Sequence, residues 1–154
     1  MSGRKFSFET TRTSTAPAAT LFRLVADGGY WSRWAKPIVV HSSWVRQGDP
    51  PPGGVGAVRK LGMWPVLVQE ETVAYEQDRR HAYKMIGGNT PAKDYHAEVV
   101  LTPNTAGGTD IRWTGSFVEG VAGTGPLMRA ALGGAVRFFA GRLVKAAERE
   151  SGTQ

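Results

Sequence analysis

The sequence predicts an α+β fold, a curved antiparallel sheet of about seven strands wrapped around a long C-terminal helix. Three observations lead there. From Val39 to Phe117, short runs rich in β-branched and aromatic residues alternate with turn residues, and no helical stripe intervenes. From Gly123 to Glu150, apolar residues recur every three or four positions. Ahead of both stand one strand-like segment and two short helical ones.

Phe6 to Thr13 is Thr-rich with period two and suits a first strand, with Phe6 and Phe8 on one face. Ser14 or Thr15 is placed to cap the helix that follows. Pro17 suits its first turn, and Leu21, Phe22, Leu24 and Val25 form its apolar stripe. Asp27-Gly-Gly ends that helix, and Asp27 can cap a second one, Tyr30 to Ala35, which stops before Pro37. The remaining strands are Val39 to Arg46, Val55 to Gly62, Val66 to Tyr75, Arg80 to Ile86, Tyr95 to Thr102 and Thr109 to Val118. Gly48 to Gly54, Trp64-Pro65, Gln77 to Arg79, Gly87 to Pro91 and Asn104 to Gly108 separate them, and connections this short favour antiparallel neighbours. In the last segment Leu127, Met128, Ala131, Leu132, Ala135, Phe138, Phe139, Leu143 and Ala147 make one face, with Arg129, Arg137 and Lys145 opposite. Ser151 to Gln154 should fray. A helix laid across the concave face of a sheet leaves a cavity wherever the interface is imperfectly filled.

The 154 residues suit one domain, 1–154, with its core in 6–150. Met1 to Lys5 has no secretory pattern and no apolar run approaches the roughly 20 residues of a membrane span, so a cytoplasmic protein without a transmembrane segment is expected. The absence of cysteine excludes disulfides, thiolate zinc sites and a cysteine nucleophile. His41, His81 and His96 form no HxxxH or HxH pair, so neither a metal nor another cofactor is expected. The formal charge of +6 is scattered. Its densest groups are Arg4-Lys5, Arg79-Arg80, and Arg142, Lys145 and Arg149 among Glu148 and Glu150, a solvated surface rather than a nucleic-acid stripe. No Ser-His-Asp order, Gly-x-Ser-x-Gly elbow or P-loop occurs, and Gly53-Gly-Val-Gly56 lacks the spacing of a nucleotide loop.

Strand parity turns His81, Tyr83 and Met85 inward opposite Lys84, Tyr95 and Ala97 inward opposite His96 and Glu98, and Ile111, Trp113 and Phe117 inward opposite Arg112. For His81, a strand start beside Arg79 and Arg80 argues instead for exposure. These residues and Met128, Leu132, Ala135, Phe138 and Phe139 of the helix either fill a core or line a cavity. Small residues at Ala97, Gly115, Ala131, Gly134 and Ala135 favour a void, and Met63, Met85 and Met128 give it an adaptable lining. Trp34 and Trp64 join the ligand-binding set, with Trp64-Pro65 and the Gly48 to Gly54 loop expected at the mouth. Arg59, Tyr83 and Tyr95 are the candidate polar or catalytic groups, since an arginine or phenol orients a carbonyl or carboxylate in low dielectric. Parity leaves Arg59 inward or outward. Glu70 and Glu71 are adjacent on a strand, face opposite sides and cannot form a paired acid and base, and one of them should form a salt bridge outside.

Three segments carry a resemblance. Pro17 to Trp34, ending Asp-Gly-Gly-Tyr-Trp-Ser-Arg-Trp, looks like a helix pair closed by a Trp-x-x-Trp element. Gly53-Gly-Val-Gly56 before Val58-Arg59, with Val68 to Glu76 and Arg79-Arg-His-Ala-Tyr83, is similar to a glycine lead into a strand, an acidic strand and an Arg-x-x-x-Tyr run. Gly107-Gly-Thr-Asp-Ile-Arg-Trp113 resembles a Gly-Gly-Thr-x-x-x-Trp strand start. Together they resemble the polyketide cyclase/dehydrase branch of the START-like (SRPBCC) superfamily, related in fold to the birch pollen allergen. That resemblance implies a helix-grip fold and an apolar cavity, not one chemistry. The expected function is binding or carriage of a small hydrophobic ligand, a lipid or polyketide-like compound. The alternatives are a cofactor-free cyclase, aromatase or dehydratase in the same cavity, and a protein-interaction module with a filled core. A monomer and a homodimer are both compatible with the sequence.

Overall fold

The computed structural model describes residues 3–88 and 91–152. Asn89 and Thr90 of the expected Gly87 to Pro91 turn, and Thr153 and Gln154 of the expected frayed end, lie outside the described residues. In chain order the elements are β1 (Lys5–Ser14), α1 (Ala18–Ala26), α2 (Trp31–Trp34), β2 (His41–Arg46), β3 (Val58–Met63), β4 (Val66–Glu76), β5 (Arg80–Gly88), β6 (Ala92–Pro103), β7 (Thr109–Glu119) and α3 (Gly125–Gly152). The strands form one antiparallel sheet in the order β1-β7-β6-β5-β4-β3-β2. Successive strands pair from β2 to β7, and β1 closes the far side with Phe8 opposite Gly115.

Period-two patterning sets the inner face. Tyr95, Ala97, Val99 and Leu101 are buried on β6 while His96 is exposed, and Ile111, Trp113 and Phe117 are buried on β7 while Arg112 is exposed. His81, expected at the surface, is 1% exposed. The β4–β5 register explains this: Tyr83 pairs with Thr72 and His81 with Tyr75, so the histidine follows the tyrosine's parity and packs on the Phe22 ring of α1.

α3 lies on the concave side, packed most heavily against β1 and then against α1. Its buried face runs through Val136, Ala140, Leu143 and Ala147, with Leu132 and Phe139 partly buried against the core. Leu127 and Ala131, expected on that face, are exposed. Adjacent apolar pairs, Leu127-Met128 and Ala131-Leu132, left the stripe ambiguous by one position, and Met128 and Leu132 are the members that pack against the core. At the start of α3 the Glu119 carboxylate accepts from the amides of Gly123 (3.0 Å) and Gly125 (2.8 Å), where a negative charge meets the positive end of the helix dipole. Near its end Glu148 accepts from the Ser14 hydroxyl (3.0 Å) and the Thr15 amide (3.1 Å).

That contact corrects the expected cap of α1. Pro17 occupies the N-cap without a side-chain hydrogen bond, because the Ser14 hydroxyl is engaged by Glu148 and by the amide of Ala16 (3.0 Å). Asp27 likewise does not cap α2. Its Oδ1 takes the Gly29 amide (3.1 Å) in a local turn, and Tyr30 is the N-cap.

The last carbonyls of α1 have no partner within the helix. Trp31 Nε1 donates to the carbonyl of Val25 (2.9 Å) and Trp34 Nε1 to that of Leu24 (3.3 Å), so the Trp-x-x-Trp element works as a cap for the preceding helix. Gly28 brings the connection onto Arg59, and a Cβ there would lie 2.6 Å from Arg59 Cβ.

Candidate ligand-binding site

Neighbouring strands place the inward residues of β3, β4 and β5 side by side: Arg59 pairs with Glu70, Glu70 with Met85, and Thr72 with Tyr83. Arg59 is 2% exposed. Its guanidinium carbon lies 4.6 Å from the ring centres of both Trp31 and Tyr83, a cation held between two aromatic faces. Nη1 donates to the carbonyl of Val25 (2.9 Å), at the negative end of α1, and Nε donates to Glu70 Oε1 (3.1 Å). Nη2 is 3.0 Å from the same oxygen without an aligned hydrogen bond. Both charges are therefore desolvated, and their pairing offsets a cost that neither could bear alone.

Burial raises the Glu70 carboxyl above its ordinary range, against the opposing pull of the Arg59 charge and hydrogen bond. Burial also raises both phenols, with Glu70 adding to the effect, so Tyr83 and Tyr95 stay protonated at neutral pH. Tyr83 oxygen accepts from Trp113 Nε1 (3.3 Å), and Tyr83 and Tyr95 influence one another's titration. His81 is held neutral by burial and by the Arg59 charge. Its Nε2 is 3.4 Å from Thr72 Oγ1, and its Nδ1 has no hydrogen-bond partner among the described residues.

In front of this cluster lies a cavity of about 550 Å³ between the inner face of the sheet, α3 and residues 37–39. Leu61, Val68, Met85, Val136 and Phe139 give it apolar walls, and Glu70, Tyr83 and Tyr95 are the polar groups facing it with uncommitted hydrogen-bonding capacity. Its rim carries Ile38, Met63, Trp64 and Val66, all exposed, with Trp64 at 81%. A separate groove is lined by Phe22, Trp44, Pro52, Gly53 and Tyr75. The Gly48 to Gly54 loop, expected at the cavity mouth, borders that groove instead.

Of the residues expected to meet a ligand, Trp64, Tyr83, Met85, Tyr95, Leu132, Ala135 and Phe139 border the cavity. Arg59, Trp34, Trp113 and Phe117 stand behind it. Arg59 and Trp34 are tied to α1, Trp113 supports Tyr83, and Phe117 stacks on Phe6 at 5.6 Å. Ala97 is buried in the sheet beneath Tyr83, Met128 packs against the core, and the Phe138 ring lies 6.2 Å from that of Phe139 without reaching the lining. Of the small residues, Ala135 borders the void, whereas Gly115 makes room for Phe8: a Cβ there would lie 2.3 Å from the Phe8 ring. Ala131 and Gly134 face solvent. Glu70 and Trp31 are lining residues that parity reasoning passed over. For Glu70 the signal was present, because Glu71, its outward neighbour, pairs with Arg46 (3.7 Å) and Lys84 (4.0 Å) and leaves Glu70 on the inner face.

Across residues 5–148 the sequence matches the family described as polyketide cyclase / dehydrase and lipid transport. The chain belongs to that family. Solved structures similar to it include Ara h 8.0201, at 19% identity and a TM-score of 0.68 over 92% of this chain and 99% of that one. A protein from Nitrosospira multiformis shares 21% identity, with a TM-score of 0.72 over 95% of this chain and 99% of that one. The protein XoxI from Bacillus cereus shares 16%, with a TM-score of 0.70 over 96% of each chain. At these identities the likeness is one of fold, the START-like helix grip. No curated protein matches the sequence. Among the described residues no helix is long and apolar enough to cross a membrane, and no three His, Asp or Glu side chains converge as metal ligands.

Proposed function

We propose that this member of the polyketide cyclase / dehydrase and lipid transport family binds and carries one small hydrophobic molecule in the cavity between the sheet and α3. The observation that carries the reading is a space of about 550 Å³ with apolar walls and a few polar groups gathered at one end, the arrangement expected of a small-molecule site. Apolar burial supplies most of the affinity, at roughly 25 cal/mol per Å² of surface removed from water, and the polar end fixes orientation. Native mass spectrometry of freshly purified protein, compared with the denatured mass and followed by organic extraction, tests it. A co-purified apolar molecule in stoichiometric amount is expected. Failure of both the purified protein and a panel of apolar probes to form a complex overturns carriage.

A second reading, turnover of a poly-ketone in the same space, is favoured by one observation: a buried carboxyl, Glu70, faces the cavity beside two phenols. Under it Glu70 rather than Arg59 exchanges protons with substrate, because Arg59 is sealed behind the lining. Conversion of an aromatic precursor that is lost on Glu70→Gln supports this reading, and stoichiometric binding without conversion removes it.

A further inference from the structure

The hydrogen-bonding capacity at the polar end is unevenly used. Glu70 Oε1 is occupied by Arg59, while among the described residues no hydrogen bond reaches Oε2, which leaves an acceptor at the cavity wall. Tyr83 is the complement. Its oxygen accepts from Trp113 Nε1 (3.3 Å), and no hydrogen bond among the described residues takes up its own proton. A free acceptor and a free donor therefore flank the same end of the space.

Charge narrows the match. Arg59 balances Glu70, so this end is neutral as built. An ammonium would bring an unbalanced positive charge into it. A carboxylate would meet the Glu70 carboxylate, and Arg59 cannot turn to greet it while held by Val25 and packed between Trp31 and Tyr83. A hydroxyl group carries one donor and an acceptor on one neutral atom and satisfies both vacancies.

We infer that Glu70 and Tyr83 determine specificity, selecting a neutral hydrophobic ligand that ends in a hydroxyl group, whose O–H donates a hydrogen bond to Glu70 Oε2 and whose oxygen accepts one from the Tyr83 phenol. This rests on the carriage reading above and names the chemical class of its ligand.

Titration calorimetry with 1-decanol, decanoate and 1-decylamine, which share one tail, tests it on the wild-type protein at neutral pH. Decanol is expected to bind at least about tenfold more tightly than either charged analogue. In Glu70→Gln the repulsion is gone and Arg59 is left unbalanced, so decanoate should gain about tenfold or more and the order should narrow or invert. Tyr83→Phe should weaken decanol severalfold without helping decanoate. Decanoate or decylamine binding as tightly as decanol to the wild type overturns hydroxyl selection while leaving carriage intact. Binding of none of the three overturns both. The wild-type comparison decides the matter even where a variant does not fold.

Discussion

Arg59 Nη1 and the carbonyl oxygen of Val25 are 2.9 Å apart, so a strand residue closes the C-terminal turn of α1 from across the core. The same guanidinium balances Glu70 at the cavity wall. One side chain thereby couples the helix pair to the polar end of the proposed site, and its removal should be felt in both places.

Arg59→Met keeps most of the side-chain volume but leaves Glu70 buried without its cation. A loss of about 3–5 kcal/mol is expected in urea unfolding at neutral pH. Because burial already raises the Glu70 carboxyl, the variant should recover on acidification: a raised carboxyl favours folding below its unfolded value of 4.5 and loses that contribution as pH rises through the folded value. Glu70→Gln in the same background should restore part of the loss, and a simple sum of the two single losses would count against the pairing.

His81 supplies the opposite pH dependence. Its folded value lies well below 6.5, so as pH falls through 6.5 the unfolded chain takes up a proton that the native state refuses, and stability falls. Wild-type protein should lose stability between pH 7 and 5, and His81→Gln should show a shallower slope over that interval. Identical slopes would place the effect elsewhere.

Gly115→Ala forces a methyl group against the Phe8 ring and should cost about 1–3 kcal/mol by overpacking. Phe8→Leu in the same chain should relieve part of that cost, a coupling measurable in a double-mutant cycle.

Trp64 is 81% exposed at the cavity rim, whereas Trp31, Trp34 and Trp113 are buried. Trp64→Phe should shift the fluorescence emission maximum to the blue and change stability by no more than about 0.5 kcal/mol. An unchanged emission maximum would mean that Trp64 is shielded in solution.

Much of the frame was legible because it rests on local periodicity. Alternation along β6 and β7 placed Tyr95, Trp113 and Phe117 correctly, and turn residues marked the hairpins. What was hidden depends on pairing between distant segments. His81 looks like a surface residue beside Arg79 and Arg80 until the register with Tyr75 is known. Ser14 looks like a cap until Glu148, at the other end of the chain, takes its hydroxyl. Arg59 reads as a ligand contact because arginine suits that role, yet the carbonyl and rings that hold it back come from α1, α2 and β5. The small residues misled for a related reason: Gly115 leaves no void because a residue of β1 fills it.

The pairing of β1 with β7 has a kinetic consequence. Phe8 must wait for Gly115, roughly a hundred residues later, before it can dock beneath Tyr95, so this wall cannot close early in synthesis. Until then the nascent chain lacks α3, which covers part of the apolar inner face of the sheet. A chaperone that shields such surfaces, or an apolar molecule already lodged against them, has its greatest influence on this protein in the interval before the last helix leaves the ribosome.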